Sequence, residues 1–445
     1  MTSQKSEAKL TTAKLLKTYL SNLQTFFFVV FVFLLPSQLA YHFWPKYAFI
    51  FGIKTDYLAP ALYLSDIVVI LIFLVWLGEW ILGKKRQTFF LKQVKKVFVW
   101  LIPILLIVVL NIIFANIPQV ALYKWVKVVE VSLLAIFISK KDPFCFKKEI
   151  VYPIMFSCIF FGLLGIMQFV FQKTLGGYFY YLGERTFRSS TPGIALIYLY
   201  GHEYLRVYST FPHPNALAGY FSVVLSLVWL SKNKKRVSQK YFRATLAIFT
   251  LIASTCLILT FSRTAVVVIV LAVLLYFFRK NLTQKIIYIF LFGYLVLSLA
   301  QPFIINLFFQ KNLMLGQSLT ERLYLLSASR QIISQHFLLG VGLNNFIPEL
   351  ARLYQIHAGH WILQPVHNIA LLVLAEVGVL GFLLFVYILL KTFIKILLNK
   401  NKRWLFFPIF LILVTGFFDH YWLTLQQNMF LTSLIFGLTF RKKLS

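Results

Sequence analysis

Two histidines in this sequence precede long apolar runs, in settings where an imidazole can act on a hydroxyl group. His367 lies in the stretch Gln-Pro-Val-His-Asn, directly before an apolar run. His213 lies between Pro212 and Pro214, at the start of another apolar run. A neutral imidazole can accept a proton from a hydroxyl group or orient that group. The alternative for both histidines is a structural role at a helix end.

Arginines form the second set of residues that could carry chemistry. Arg263 lies in a very short turn between two apolar runs, Arg206 shortly precedes His213, and Arg322 and Arg330 share a later polar segment. A guanidinium group stays charged, and its planar donors match phosphate oxygens. The alternative for Arg263 is that its side chain extends to lipid headgroups. The set favours an anionic, phosphate-bearing ligand.

Two asparagines lie close to these two histidines in the sequence. Asn368 is the neighbour of His367, and Asn215 follows Pro214. Each can cap the free backbone donors of a helix or contact a ligand. We therefore count Asn215 and Asn368, with Arg206, His213 and Arg330, as candidate substrate-binding residues.

The elements that must position these residues are membrane-spanning helices. Hydrophobic residues make up 60% of the 445 residues, and only 13 side chains are acidic. Apolar runs of about 18 or more residues recur, which is the length of a spanning helix. We predict an all-α polytopic membrane protein with about twelve transmembrane helices in a single domain, residues 1–445. The predicted spans are 24–43, 61–82, 97–115, 121–138, 151–171, 215–231, 244–261, 264–278, 286–305, 366–390, 404–418 and 422–440.

The predicted topology accounts for the formal charge of +31, because most basic residues lie on one side of the membrane. Nucleic acid is therefore not an expected partner. The N-terminal segment, alternate gaps between spans and the C-terminal tail contain 31 of the 44 Lys and Arg residues. The positive-inside rule then places both termini in the cytoplasm. Two longer segments, 172–214 and 306–365, fall on the outer face. The second contains a predicted helix, SLTERLYLLSASRQIISQHF, and a glycine turn at Gly340-Val341-Gly342.

The sequence gives little sign of a metal site or a cofactor. Its three cysteines follow no ligand spacing, and the predicted outer segments lack an Asp-x-Asp pair. We expect no metal and no cofactor. The alternative is a metal held by Asp56 in the first outer loop.

Four motifs, in this order along the chain, resemble the O-antigen ligase and polymerase superfamily. They are STFPHPNALAGYF from Ser209, SRTA around Arg263, ERLYLL with the later GVGLNNF, and a histidine motif. The last reads His, Asn, nine residues, Gly, two residues and Gly, and is filled by His367, Asn368, Gly378 and Gly381. The resemblance covers residues 150–440 well and the first four spans only in hydropathy and in motifs such as YLSD. Helical spacing further predicts that Gly378 and Gly381 let another helix approach.

The resemblance implies a glycosyltransferase of the type C architecture in the plasma (inner) membrane, with its active site on the outer face. Such enzymes transfer a glycan from a polyprenyl-diphosphate carrier to an acceptor hydroxyl on a lipid, a glycan or a protein. The family's functional positions map to Arg263, Arg322 and His367 as catalytic residues. The implied reaction inverts the anomeric carbon without a metal, and the most similar activity is that of an O-antigen ligase.

Three alternatives remain open from the sequence. The chain could be a polysaccharide polymerase of the same superfamily. It could be a flippase or other transporter for lipid-linked oligosaccharides, for which Lys124, Lys127 and Glu130 in the fourth span would be the charged cluster. It could also be a non-catalytic scaffold for envelope assembly.

Overall fold

The computed structural model describes residues 2–82, 102–231, 239–277, 283–309, 317–354 and 362–442. Within these ranges long helices dominate, as the apolar runs predict. The helices are α1 (Thr2–Leu34), α2 (Leu64–Leu82), α3 (Ile102–Ile113), α4 (Pro118–Lys140), α5 (Tyr152–Phe171), α6 (Pro214–Leu230), α7 (Gln239–Leu259), α8 (Arg263–Phe277), α9 (Gln284–Phe309), α10 (Gln317–Gln335), α11 (Phe346–Tyr354), α12 (Ile369–Leu397), α13 (Phe406–Phe418), α14 (Tyr421–Thr424) and α15 (Gln426–Phe440).

Short strands form three antiparallel two-stranded ribbons. The strands are β1 (Ala40–His42), β2 (Phe49–Ile50), β3 (Ile53–Lys54), β4 (Ala61–Tyr63), β5 (Leu196–Leu199) and β6 (His202–Leu205), paired as β1–β4, β2–β3 and β5–β6. All six lie in two connections, between α1 and α2 and between α5 and α6. The short helices Lys46–Ala48, Gly177–Leu182 and Lys400–Leu405 are of the 3-10 type, and Lys147–Val151 is a π-helical entry to α5.

The all-α polytopic membrane architecture is confirmed, and each of the twelve predicted spans contains a helix. Seven described helical segments are long and apolar enough to cross a membrane, and three more are apolar but shorter. The total of twelve spans stays a prediction. The first predicted span is displaced: α1 begins at Thr2 and ends at Leu34, because Pro36 follows. The helix predicted in the second outer segment is confirmed as α10.

One large apolar core joins most of these helices. It contains Phe31, Phe137, Phe221 and Phe407, each fully buried. In this core α1 packs on α2 and α5, α4 on α15, α5 on α7, and α6 on α13. A second cluster beneath α10 and α11, which includes Phe346, packs against the first half of α12. The two clusters fix the start of α12, where His367 lies.

A break inside α12 shapes the neighbourhood of the histidine motif. Gly378 has φ +64°, outside helical conformation, and Val379 N donates to Phe337 O at 2.8 Å instead of continuing the helix. The carbonyl oxygens of Ala375 and Glu376 accept from Val341 N and Gly342 N, both at 3.0 Å. The loop after α10 thus satisfies backbone groups that the break leaves free.

The prediction of a second helix against Gly378 and Gly381 was therefore wrong. A Cβ atom on Gly378 would lie 2.3 Å from Leu338 O, so a loop backbone makes the close approach there. A Cβ atom on Gly381 would meet the side chain of Val377 of the same helix. The spacing of the glycines suits a regular helix, and the positive φ at Gly378 removes that regularity. The glycine turn of this loop is confirmed, because Gly340 and Gly342 also have positive φ.

Buried polar side chains fix the connection between α5 and α6. Glu184 is 3% exposed and accepts hydrogen bonds from Gln168 Nε2 at 2.7 Å and from the backbone of Leu175 and Gly176. Gln168 Oε1 in turn accepts from Ser209 N at 2.7 Å. These bonds tie both ends of the 172–214 segment to the end of α5, and so set the path of the chain toward His213.

Candidate active site

A cavity of about 610 Å³ opens among the connections at one end of the helices. Its wall includes residues from the segment before α2, from α4, from the connection between α5 and α6, from α10, and from the segments before α12 and around α14. The predicted site residues on this wall are Arg206, His213, Asn215, Arg322 and His367. The structure thus brings together five residues that are far apart in the sequence. The first of them, Arg206, and the last, His367, are separated by more than 150 positions.

His367 stands beside a buried carboxylate on the cavity wall. His367 Nδ1 lies 3.4 Å from Asp419 Oδ1, and the two side chains are 18% and 12% exposed. With the proton on Nδ1, the ring donates to the carboxylate, and Nε2 is left as the atom that can accept a proton. Asp419 Oδ1 also accepts from His420 N at 2.8 Å. The pair has the arrangement of a base held in position by an acid.

The start of α12 sets where this histidine lies. Asn368 is the N-cap, and its Oδ1 accepts from Ala370 N at 2.9 Å and from Leu371 N at 3.1 Å. Its Nδ2 donates to Gln301 Oε1 at 2.6 Å, which ties the cap to α9. Asn368 is fully buried and does not line the cavity, so its structural contribution is to hold the residue before it.

The histidines around Asp419 favour its ionised form. Burial alone would raise the pKa of its carboxyl, but the hydrogen bond from His367 and the electrostatic interaction with the rings of His367, His420 and His213 hold that pKa well below its usual range. His420 is 5% exposed, and burial lowers the pKa of its ring to about 3. Its Nδ1 is 2.9 Å from Thr424 Oγ1, and its ring centre is 5.0 Å from that of His367. A carboxylate and a neutral imidazole therefore flank His367 at neutral pH.

Arg206, Asn215 and His213 form a second part of the wall. Arg206 Nε donates to Thr260 O at 2.7 Å, and its Nη2 donates to Asn215 Oδ1 at 2.9 Å. His213, not Asn215, caps α6, because His213 Nδ1 accepts from Asn215 N at 3.1 Å. Hydrogen bonds thus hold two sides of the Arg206 guanidinium group. They fix the orientation of its remaining N–H donors.

The other predicted arginines have different surroundings. Arg322 lies near the start of α10 on the cavity wall, and it makes no hydrogen bond or ion pair with the described part of the chain. Arg263 is exposed at the first residue of α8 and is not among the lining residues, although Thr260 in the same turn holds Arg206. Arg330 lies over the ring of Phe303 at 4.6 Å and also does not line the cavity.

Metal-ligand types also meet at this site. His367, Asp419 and His420 each offer one ligand atom within 4.8 Å of the others, so the group could hold a metal ion. Asp56, the alternative metal residue from the sequence, lines the same cavity. Two observations favour an anion as the ligand. Arg206 and Arg322 line the same wall. In addition, the Asp419 side chain already accepts from His420 N, and the His420 side chain is already hydrogen-bonded to Thr424 Oγ1.

Sequence reasoning missed Asp419 and His420. They lie in the stretch Phe-Phe-Asp-His-Tyr, directly after an apolar run and at a predicted outer boundary. An acid beside a histidine at such a boundary is the same signal that singled out His367, and it was available. Tyr57 was also missed: its ring centre lies 5.7 Å from that of His420, and it lines the cavity.

Part of this chain matches a known protein family. Residues 248–386 match the model of the O-antigen ligase family, a range that runs from α7 into α12 and includes Arg263, Arg322, Arg330 and His367. Asp419 and Arg206 lie outside the matched range. A search of curated proteins gave no match. The chain is a membrane protein, and its residues 248–386 are similar to the O-antigen ligase family.

Proposed function

We propose that this protein transfers a glycan from a polyprenyl-diphosphate carrier to an acceptor hydroxyl at the outer face of the plasma membrane, as an O-antigen ligase does. One observation carries the proposal. The His367–Asp419 pair faces a cavity whose wall also presents Arg322 and Arg206. A base can accept the acceptor proton, and two guanidinium groups can stabilise the negative charge of a diphosphate leaving group.

The reaction exchanges the bond between the glycan and the diphosphate for a glycosidic bond to the acceptor. The acceptor oxygen forms a bond to the anomeric carbon while the bond from that carbon to the diphosphate oxygen breaks. Negative charge grows on the departing diphosphate, and Arg322 and Arg206 stabilise it, with Arg263 as the third arginine that the family resemblance implies. The acceptor proton passes to His367 Nε2, and the charge of Asp419 stabilises the resulting imidazolium. Attack opposite the leaving group inverts the anomeric carbon.

Topology supports the outer face as the place of reaction. The segments that line the cavity come from the gaps on the side opposite to the 31 basic residues and from the ends of the helices that adjoin those gaps. Lys402 and Arg441, which belong to the predicted cytoplasmic gaps, meet at the other end of the helices. The positive-inside rule then gives a cavity that opens outward and termini in the cytoplasm. A lipid carrier can enter such a cavity from the outer leaflet.

The test is transfer by the purified, reconstituted protein. A polyprenyl-diphosphate-linked glycan is supplied with a lipid acceptor, and the new glycosidic bond is detected by mass spectrometry. His367→Ala and Arg322→Ala should each abolish transfer while the melting temperature stays close to wild type. His336→Ala and Arg352→Ala are matched controls, because both residues pair with Glu349 outside the cavity lining.

The outcomes separate the candidate functions. Normal transfer by the His367 variant contradicts its assigned role. Movement of the lipid-linked glycan across the membrane without a new bond indicates the transporter instead. Tolerance of both substitutions in cells indicates the scaffold. Ligase and polymerase differ in product: unlinked long glycans accumulate when a ligase gene is deleted, and single-unit glycans accumulate when a polymerase gene is deleted.

A further inference from the structure

Two lysines on α4 line the cavity one helical turn apart. Lys124 and Lys127 are 9% and 8% exposed, and both belong to the cavity wall. A buried ammonium group in a membrane protein is costly unless it is paired or serves a ligand. The two side chains have different partners, so Lys127 serves as the comparison for Lys124.

Lys127 is fully paired. Its Nζ contacts Asp66 Oδ2 and lies 3.2 Å from Glu130 Oε2. Asp66 accepts two further hydrogen bonds, from Gln426 Nε2 and from Tyr63 N. The charge of Lys127 is thus balanced within α2 and α4, and we assign this lysine a structural role.

Lys124 has no such partner. The contact recorded for its Nζ is Met429 Sδ at 3.5 Å, and a thioether is a weak acceptor. Over the described residues it forms no ion pair. The charge of Glu376 acts on it, but that carboxylate accepts hydrogen bonds from the backbone N–H groups of Asn344 and Phe346. An ammonium group has three donor hydrogens, so most of the donor capacity of Lys124 faces the cavity.

The position of Lys124 separates it from the arginines. It belongs to α4, whereas Arg322 belongs to α10 and Arg206 to the segment before α6. The segment from Asp419 to Met429 forms a common wall, with His420 and Thr424 beside His367 and with Met429 beside Lys124. The cavity therefore presents cations on walls contributed by three separate parts of the chain.

We propose that Lys124 binds a phosphate group of a lipid-linked substrate, in a second anion subsite of the cavity. The proposal rests on the proposed function for the presence of such a substrate. The phosphate belongs either to the diphosphate of the donor or to a phosphate on the acceptor lipid. In the second case the acceptor is a phosphate-bearing lipid, and a protein acceptor is excluded.

Direct binding tests the subsite without catalysis. The full-length protein in nanodiscs of uncharged lipid is titrated with a glycan-free polyprenyl diphosphate, and the polyprenyl alcohol serves as the reference ligand. Lys124→Met should weaken diphosphate binding by about 10- to 100-fold, the effect of one charge-assisted hydrogen bond, and should leave alcohol binding unchanged. Lys124→Arg should restore most of the affinity. Unchanged diphosphate binding by the methionine variant would exclude the donor diphosphate as the source, and together with an unchanged KM for the acceptor it would overturn the proposal.

Melting temperature separates a binding role from a structural one. Lys124→Met removes an unpaired buried charge, so the melting temperature should stay constant or rise. Lys127→Met is the matched control, and it should lower the melting temperature because Asp66 and Glu130 lose their counter-ion. A fall for Lys124→Met as large as that for Lys127→Met would show that Lys124 is structural.

Steady-state transfer identifies the source of the phosphate. An increase in KM for the donor alone assigns the subsite to the donor diphosphate, and an increase for the acceptor alone assigns it to a phosphate on the acceptor lipid. An unchanged KM for both substrates overturns the subsite. If the wild-type protein transfers no glycan, the proposed function fails, and the binding titration still decides whether Lys124 binds an anion.

Discussion

Basic residues are buried at both ends of this helical bundle, but they are used differently. At the end opposite to the cavity, Lys402 is 1% exposed, and its Nζ donates to Thr439 O at 2.8 Å and to Arg441 O. Arg441 Nη1 donates to Ile138 O at 2.9 Å, and Lys141 Nζ lies 2.8 Å from Glu149 Oε2. These cations bind the last carbonyls of α4 and α15 or a carboxylate, so they hold helix ends together.

At the cavity end the donors of the cations are only partly used by the protein. Arg206 is fixed by two bonds, Arg322 makes none to the described residues, and Lys124 contacts a sulfur atom. The difference teaches how to distinguish structural from ligand-binding cations. A buried cation whose donors all meet carbonyl groups stabilises the fold, and one whose donors face a cavity is available to an anion. The same comparison applies to acids, because Asp66 is saturated by the protein whereas Asp419 supports a histidine that faces the cavity.

The largest effect that would test this comparison is expected from Asp419→Asn. The substitution keeps the shape of the side chain but removes the charge that orients His367 and stabilises its protonated form. We expect kcat to fall by about 10²- to 10⁴-fold. The KM for the donor should change little, because the diphosphate contacts arginines. The measurement is steady-state transfer with the reconstituted protein.

Glu349→Gln is the matched control for that substitution. Glu349 also faces a histidine, His336, at 3.6 Å, but neither residue lines the cavity. Its kcat should stay within a few-fold of wild type. If both carboxylate variants lost activity equally, the loss would reflect a damaged fold, and the Asp419–His367 pair would have no special part in the reaction.

Acid should destabilise the protein through the histidine and the carboxylate at the cavity end. The pKa of His420 is about 3 in the folded protein and about 6.5 in the unfolded chain. The unfolded state therefore binds the proton first, and stability is lost as the pH falls below about 6.5. At pH 5 the loss from this group is about 2 kcal/mol relative to pH 7. Asp419, whose folded pKa is also lowered, adds a loss of the same sign at lower pH.

Melting temperatures at pH 7 and pH 5 check this expectation. His420→Gln keeps a polar side chain beside Thr424 and Asp419 but cannot be protonated in this range. The variant should lose less melting temperature on acidification than the wild type does. The groups that act on His420 are Asp419, His367, His213, Arg322 and Tyr57, and all remain in the variant. An equal loss in both proteins would show that His420 does not control the acid response.

Some features of the site could be predicted from the sequence, and others could not. The run of motifs up to His367 was sufficient to predict the histidine, the arginine-bearing helix and the glycine turn after it, because each is local. Asp419 could not be paired with His367 from spacing, because 52 positions and two helices separate them. The break at Gly378 was also out of reach. A glycine fits a regular helix and a positive φ equally well, and only the loop from Phe337 to Gly342 decides between them.

A smaller effect is expected from Lys402→Met at the opposite end. The substitution leaves the carbonyl oxygens of Thr439 and Arg441 without their buried donor, which costs about 1–3 kcal/mol of stability. Transfer measured at a temperature well below unfolding should be unaffected, because the residue is far from the cavity wall in the fold. Chemical or thermal unfolding of the purified protein gives the first quantity, and the reconstituted assay gives the second. Loss of turnover in a stably folded Lys402 variant would break the division between structural and ligand-binding cations.

The smallest effect is expected from removal of divalent metal ions. His367, Asp419 and His420 are close enough to share an ion, yet the arginines on the same wall favour an anion, and the diphosphate chemistry is met by guanidinium groups. Dialysis against EDTA, followed by assay in metal-free buffer, should leave the transfer rate within experimental error of the untreated protein. Recovery of a lost rate by Mn²⁺ or Zn²⁺ would contradict this expectation. It would also change the meaning of Asp419→Asn, because that variant would then lose a metal ligand and its activity would no longer report on the orientation of His367.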